Sequence, residues 1–335
     1  MAAARNVLIT GGSAGIGRAC VERFARAGDH VWFTYHSGHA RAAELVARLA
    51  HADRRPRAFA FRQGEWDDHE RLLAELPGPV DVLVNNAAVG SKTVESYVPG
   101  PDHVRDAAFL QINAVGPLWL VQQLLPGMLA RGRGKVVNVS SVGGGVAPFP
   151  GFRVADGMSK AALAYLTRHL AAELAHACVD VVAVCPGAVE TPMFEASTLA
   201  GLTPERRAAV EAALPRGRLI SPEEIAELVW WLAGNDSGVL HGAVIDASMG
   251  LGAHPGLLTG SAALAHGPEE ERAIRAEGQG PLPEPMSATP LPEPTSAGLL
   301  SESTSAPVAP TSAAPVATGT TTVAPAPTLP AGAPR

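Results

Sequence analysis

Thr10-Gly11-Gly12-Ser13-Ala14-Gly15-Ile16-Gly17 is the first stretch of the chain whose residue types and spacing suit a defined chemistry. It follows a short apolar run at residues 5–10 and opens a helical pattern at 16–27. Backbone N–H groups at the start of a helix align with the helix dipole and attract phosphate. Gly11 and Gly15 let the chain turn tightly and let a pyrophosphate approach the backbone, while Gly17 lets helix and strand pack closely. A glycine-rich turn is also an ordinary strand-to-helix connection, so its meaning depends on its surroundings. Metal and disulfide chemistry find less support. Cys20, Cys178 and Cys185 stand in no CxxC or Cys/His spacing.

The elements that must position this loop alternate between strand-like and helix-like patterns. Apolar, β-branched runs at 5–10, 31–34, 58–61, 81–84, 135–139, 179–184 and 243–245 read as strands, buried on both faces as central parallel strands must be. Helical patterns occupy 16–27, 41–50, 68–76, 102–130, 160–176 and 222–234; Ser221 before Pro222 is a good N-cap for the last. The expected class is α/β, a Rossmann-type doubly wound sheet of seven parallel strands flanked by helices, spanning residues 1–255. No aromatic residue follows Trp231, and residues 281–335 hold 13 of the 29 prolines. Residues 256–335 therefore read as a Pro/Ala/Thr-rich, largely disordered tail, unable to bury enough apolar surface to offset its ordering entropy.

Composition also narrows the partners. A net charge of −6 without a basic run argues against nucleic acid. No run approaches the roughly 18 apolar residues of a membrane span. The segment before the glycines is too short for a secretory apolar region. The expectation is a soluble, cytoplasmic protein with neither a membrane nor a nucleic-acid partner.

Further motifs follow in order. Asn85-Asn86-Ala87-Ala88 comes after the fourth strand, Asn113 lies in QINAVGP, Val139-Ser140-Ser141 ends the fifth strand, and Ser159-Lys160-Ala161-Ala162 sits in a helix. Cys185-Pro186-Gly187 runs on to Thr191, and Arg216-Gly217 precedes the PEEIA helix. Together with the glycine loop they resemble the short-chain dehydrogenase/reductase family over about residues 5–250, with Ala88 in place of the usual glycine. The resemblance implies a strand order 3-2-1-4-5-6-7 and a nicotinamide dinucleotide. Its binding residues would be Thr10, Gly11, Ser13, Gly15, Ile16, Gly17, Asn86, Ala87, Lys160, Pro186, Gly187, Val189 and Thr191, with Glu65 where the family carries an aspartate facing the adenine. It also implies catalytic positions at Asn113, Ser141 and Lys160, a small-molecule carbonyl substrate, and a homodimer or homotetramer formed through 102–130, 160–176 and the last strand. An acidic residue after the second strand would hold the ribose 2′-hydroxyl of NAD. Here the strand ends Thr34-Tyr35-His36-Ser37, with no carboxylate before Glu44. His36, Ser37 and Arg41 suit a 2′-phosphate, which favours NADP(H) over NAD(H).

The family's catalytic YxxxK has lost its tyrosine: four residues before Lys160 stands Asp156. Tyr165 lies about 140° round the helix from Lys160 and does not replace it. Tyr97 falls in a region that can line a substrate pocket. A carboxylic acid titrates near 3.9 against about 10 for a phenol, and a neighbouring ammonium drives it further toward ionisation. Three readings follow. In the first the chain is a ketoreductase of small or polyketide-like carbonyls. Ser141 orients the carbonyl, and the proton comes from a desolvated, protonated Asp156 or from a water held by Asp156, Lys160 or Asn113. In the second Asp156 is the base of a lyase, dehydratase or isomerase. In the third the chain is a catalytically silent nucleotide-binding partner subunit. The glycine loop kept together with Ser141, Lys160 and Asn113 favours the first. Phe149, Phe152 and Arg153 belong to a long loop; folded over the site they suit an aromatic or anionic substrate, and otherwise the two aromatics anchor the loop to the surface. Residues 192–215, rich in Ala and Leu, suit an apolar one.

Overall fold

The computed structural model describes residues 4–50, 54–149 and 153–254. The expectation for 256–335 and the one for Phe152 lie outside the described residues. Seven strands form one parallel sheet: β1 (Asn6–Ile9), β2 (His30–Tyr35), β3 (Arg57–Ala60), β4 (Val82–Asn85), β5 (Gly134–Val139), β6 (Val179–Pro186) and β7 (Val244–Ala247). Their order is β3-β2-β1-β4-β5-β6-β7. Val7 of β1 faces Val31 on one side and Val82 on the other, so the winding direction reverses between β1 and β4. In such sheets the crevice beyond the strand ends at that reversal is where ligands bind.

Both faces of the sheet are covered, which is why the strand sequences are apolar throughout rather than alternating. Val7, Ile9, Phe33, Val84 and Val137 pack on α1 (Gly15–Arg26), α2 (His39–Arg48) and α11 (Pro222–Leu232) through Phe24, Leu45 and Leu232. Leu8, Phe59, Leu83 and Val136 turn to the other face, against Leu72 of α3 (Trp66–Glu75), Leu120 and Met128 of α6 (Gly116–Ala130) and Leu170 of α8 (Val154–Glu173). Each fully buried side chain of this size contributes about 1.5–3 kcal/mol. Short turns α4 (Val94–Tyr97), α7 (Val142–Gly145) and α9 (Pro192–Phe194), with α5 (Asp102–Leu110) and α10 (Pro204–Ala213), surround the strand ends.

Two elements depart from the sequence expectation, and both matter for the site. The stretch 102–130 is not one regular helix: α5 and α6 are joined by a π turn, Gln111–Val115. Pro117 has no N–H to return to the Asn113 carbonyl, and the Ile112 carbonyl is taken by Gln63 Nε2 at 2.8 Å. The helix expected at 160–176 begins at Val154, which puts Asp156 in its first turn, one turn before Lys160. Arg153, at its N-cap, is pinned to α5 by Asp106 at 2.6 Å and Asp102 at 3.0 Å.

Candidate active site

A cleft of about 560 Å³ opens at the crevice between β1 and β4, lined by Gly11, Ser13, Gly15 and Ile16 of the glycine loop. Its floor is the N-terminus of α1, whose N-cap Ala14 offers no side-chain cap and whose first turn carries no acidic residue. The first N–H groups of that helix are thus left for an anion. Gly11 has φ 70°, and a Cβ on Gly17 would lie 2.2 Å from the Gly11 carbonyl oxygen, so loop and helix close only over hydrogen. Thr10 is buried and does not line the cleft. Its hydroxyl accepts from the Asn86 and Ala87 N–H groups at 3.0 and 2.9 Å, locking the loop after β4 to the glycine loop. Thr10 and Gly17 therefore build the cradle, while Asn86, Ala87, Lys160 and Thr191 line it. This cradle fits a dinucleotide phosphate.

At the far end of the same cleft stand Tyr35, His36, Ser37, Gly38 and Arg41. Among the described residues Arg41 forms no ion pair, and Glu65, the residue preceding α3, is the one carboxylate on this wall. Tyr97 rests on His36, ring centroids 4.8 Å apart, so it lines this end of the cleft. Gln63 was not foreseen. Its Nε2 donates to the Ala87 carbonyl at 2.9 Å as well as to Ile112, tying the loop after β4 to the π turn. Nothing in the sequence marks that role, because the partners lie 24 and 49 residues away.

A second cleft of about 710 Å³ shares Ile16, Val89, Ser140, Lys160, Thr191 and Met193 with the first. Pro186, Gly187 and Val189, expected at the nicotinamide end of the dinucleotide, line this second cleft, at the end of β6. Ser141 also lines it; its hydroxyl oxygen accepts from the Gly143 N–H at 3.2 Å. Asp156 enters from α8, with one carboxylate oxygen accepting from the Ser91 hydroxyl at 3.0 Å. Ser91 is the second functional neighbour the sequence did not reveal, lying 65 residues from its partner.

The ionisation of Asp156 runs against the sequence expectation. Burial pushes its carboxyl above the ordinary carboxylate value, and the opposing effects of Lys160 and Ser91 are smaller. Burial likewise pulls the Lys160 ammonium below its usual value, with Asp156 opposing it. The two groups feel each other's field but form no ion pair, so desolvation wins over attraction. Asn113, carried inward by the π turn, stands behind the wall of this cleft. It is buried and lines neither cleft: its amide donates to the Val89 carbonyl at 2.9 Å and to Ser159 Oγ at 3.0 Å, and its carbonyl accepts from the Val89 N–H at 2.8 Å. It holds the wall of the substrate side through Val89 and Ser159. Arg153 is held by Asp102 and Asp106 and is not a free anion receptor. Tyr165 is exposed beside His169 and stays away from Lys160. Burial pushes the Cys185 thiol up to about 11, so it stays protonated.

The family model for short chain dehydrogenases matches residues 5–200. The chain belongs to the short-chain dehydrogenase/reductase family. A galactitol 2-dehydrogenase from Rhizobium johnstonii is 33% identical over 252 residues, covering 72% of this chain and 93% of the relative. An acetoacetyl-CoA reductase from Allochromatium vinosum is 32% identical over 255 residues, covering 75% of this chain and all of the relative, 100%. Among solved structures, the actinorhodin polyketide ketoreductase with NADPH superposes with a TM-score of 0.67 at 29% identity, over 76% of this chain and 100% of that one. This short-chain dehydrogenase/reductase therefore shares its Rossmann-type fold and its oxidoreductase ancestry with dehydrogenases and ketoreductases alike.

Proposed function

We propose that this family member is an NADP(H)-dependent reductase of a small or polyketide-like carbonyl substrate, with Asp156 taking the place of the missing phenol. The observation that carries the reading is the meeting of Ser141, Asp156 and Lys160 on walls of a cleft that abuts the phosphate cradle through Lys160. The bound cofactor would supply the hydride. The α1 N-terminus and Ser13 would hold its pyrophosphate, Arg41, His36 and Ser37 a 2′-phosphate, and Lys160 the ribose nearest the reaction. On the substrate side, Ser141 offers its O–H to the carbonyl oxygen. A protonated Asp156 gives that oxygen its proton, while the Ser91 hydroxyl holds the carboxyl group in place. Burial supports this role because it widens the pH range in which the acid keeps its proton. The rate of reduction should then fall as pH rises through the elevated Asp156 value.

The test is a fluorescence titration with NADPH and NADH, followed by turnover of Asp156 variants on a panel of apolar ketones. The expected result is micromolar NADPH binding with weaker NADH binding, and narrowing of that preference by Arg41→Ala. Asp156→Asn should lower reduction by about 10²–10⁴-fold, the range for loss of a general acid, and Asp156→Tyr should retain or raise it. Turnover that consumes no cofactor and dies in Asp156→Asn would instead identify a lyase.

A further inference from the structure

We propose a further activity for the substrate-side cleft, resting on the reductase reading above: Asp156 receives an apolar cation, so the protein also reduces C=N substrates in their protonated, iminium form. The geometry of charge in the cleft points there. Three charged side chains line it: Arg153, Asp156 and Lys160. Arg153 is neutralised by Asp106 at 2.6 Å and Asp102 at 3.0 Å. Lys160 reaches both clefts and makes no ion pair with Asp156 among the described residues. Cys185, behind the wall, is a neutral thiol. The Asp156 carboxylate is held by Ser91, through its hydroxyl at 3.0 Å and its backbone. A carboxylate that no ion pair compensates, in a cleft walled by Val142, Phe149, Met193, Phe194 and Leu251, favours a ligand that brings its own positive charge on a hydrocarbon frame.

The two bond types differ in what they ask of that carboxylate. Reduction of C=O develops negative charge on oxygen beside Asp156. Reduction of C=N⁺ removes positive charge, and the carboxylate stabilises the cation before the step. The imine nitrogen takes the proton from the Asp156 carboxyl, leaving an iminium–carboxylate pair. A hydride from the reduced nicotinamide dinucleotide then adds to the iminium carbon, and the C=N π pair becomes the nitrogen lone pair. One proton and one hydride are consumed, and the products are an amine and the oxidised dinucleotide. Asp156 regains its proton from solvent.

Binding without cofactor separates this inference from turnover. The probes are N-methyl-dihydroisoquinolinium, a permanent cation, and tetralone, a neutral ketone of the same outline, titrated by calorimetry into the full chain. The cation is expected to bind at least about tenfold more tightly than tetralone, the equivalent of one modest ion pair. Asp156→Asn should abolish that preference while leaving NADPH affinity within about twofold. Ser91→Ala, which removes the donor to the carboxylate, should keep or widen the preference and serves if the Asn variant fails to fold. With NADPH present, the iminium should be turned over faster than tetralone. Equal affinities, or a preference that persists in Asp156→Asn, would overturn the inference. Normal NADPH binding and ketone turnover without cation binding would sink it alone, whereas loss of NADPH binding in the unaltered protein would sink the reductase reading itself.

Discussion

Exchanging a phenol for a carboxyl one turn before Lys160 alters which charge the site tolerates, and the cost appears in stability as well as in chemistry. In the unfolded chain an aspartate is ionised above about pH 4. In the fold, burial raises the value for Asp156. Between the two values the folded chain binds more protons than the unfolded one, so this residue's contribution to stability is present at low pH and falls as pH rises through the window. Asp156→Asn removes the penalty. Its melting temperature should exceed that of the parent protein at neutral pH, and the difference should close on acidification below the ordinary carboxylate range, as read by scanning calorimetry across pH. Had the attraction of Lys160 dominated, the variant would melt lower at neutral pH, the opposite sign. Asp68 behaves in the reverse manner: burial alone would raise its carboxyl, but Arg62 and Arg71 outweigh burial and hold it below the ordinary range.

At the level of elements, a close approach of two helices and a π turn shape the substrate side. Gly144 of α7, at φ 95°, lies so near the first turn of α8 that a Cβ there would stand 2.1 Å from the Gly157 carbonyl oxygen. Gly144→Ala must push α7 away from α8 and separate the serine from the acid. Reductase turnover should fall by about tenfold or more while NADPH affinity stays within about twofold, because the phosphate cradle lies on other elements; a misplacement of this order costs up to about 10² in rate. The π turn is the other device. It carries Asn113 inward, where three hydrogen bonds hold Val89 and Ser159. Asn113→Ala strands the Val89 backbone groups in a buried setting and should cost about 2–4 kcal/mol in chemical denaturation. The paired fall in substrate affinity would come from the loosened wall, since the residue touches no cleft.

Across the whole molecule, what could be read from sequence was what burial dictates locally. The apolar runs of β1, β4 and β5 announce a sheet covered on both faces, and Gly11 and Gly17 announce a turn that only hydrogen allows. The π turn was hidden because Pro117 signals a missing hydrogen bond without saying which carbonyl Gln63 will claim. The state of Asp156 was hidden too: Lys160, four residues on, is visible in sequence, whereas the desolvation that overrides it comes from distant walls. The same separation applies to assembly. Val154, Met158 and Tyr165 of α8 are 76%, 53% and 67% exposed and fall within about 40° on one helical stripe. An apolar stripe of this kind is unusual on a free surface; Tyr165 falls in the segment 160–176 through which the family resemblance implied self-association, and Val154 and Met158 extend it along the same helix. A homodimer or homotetramer is therefore expected in sedimentation velocity. Tyr165→Glu, placed away from Lys160 and outside both clefts, should shift it to monomer by burying an unpaired charge in the contact. A parent chain that sediments as a monomer at all concentrations would rule out self-association through the stripe and leave Val154 and Met158 to the substrate cleft that they line.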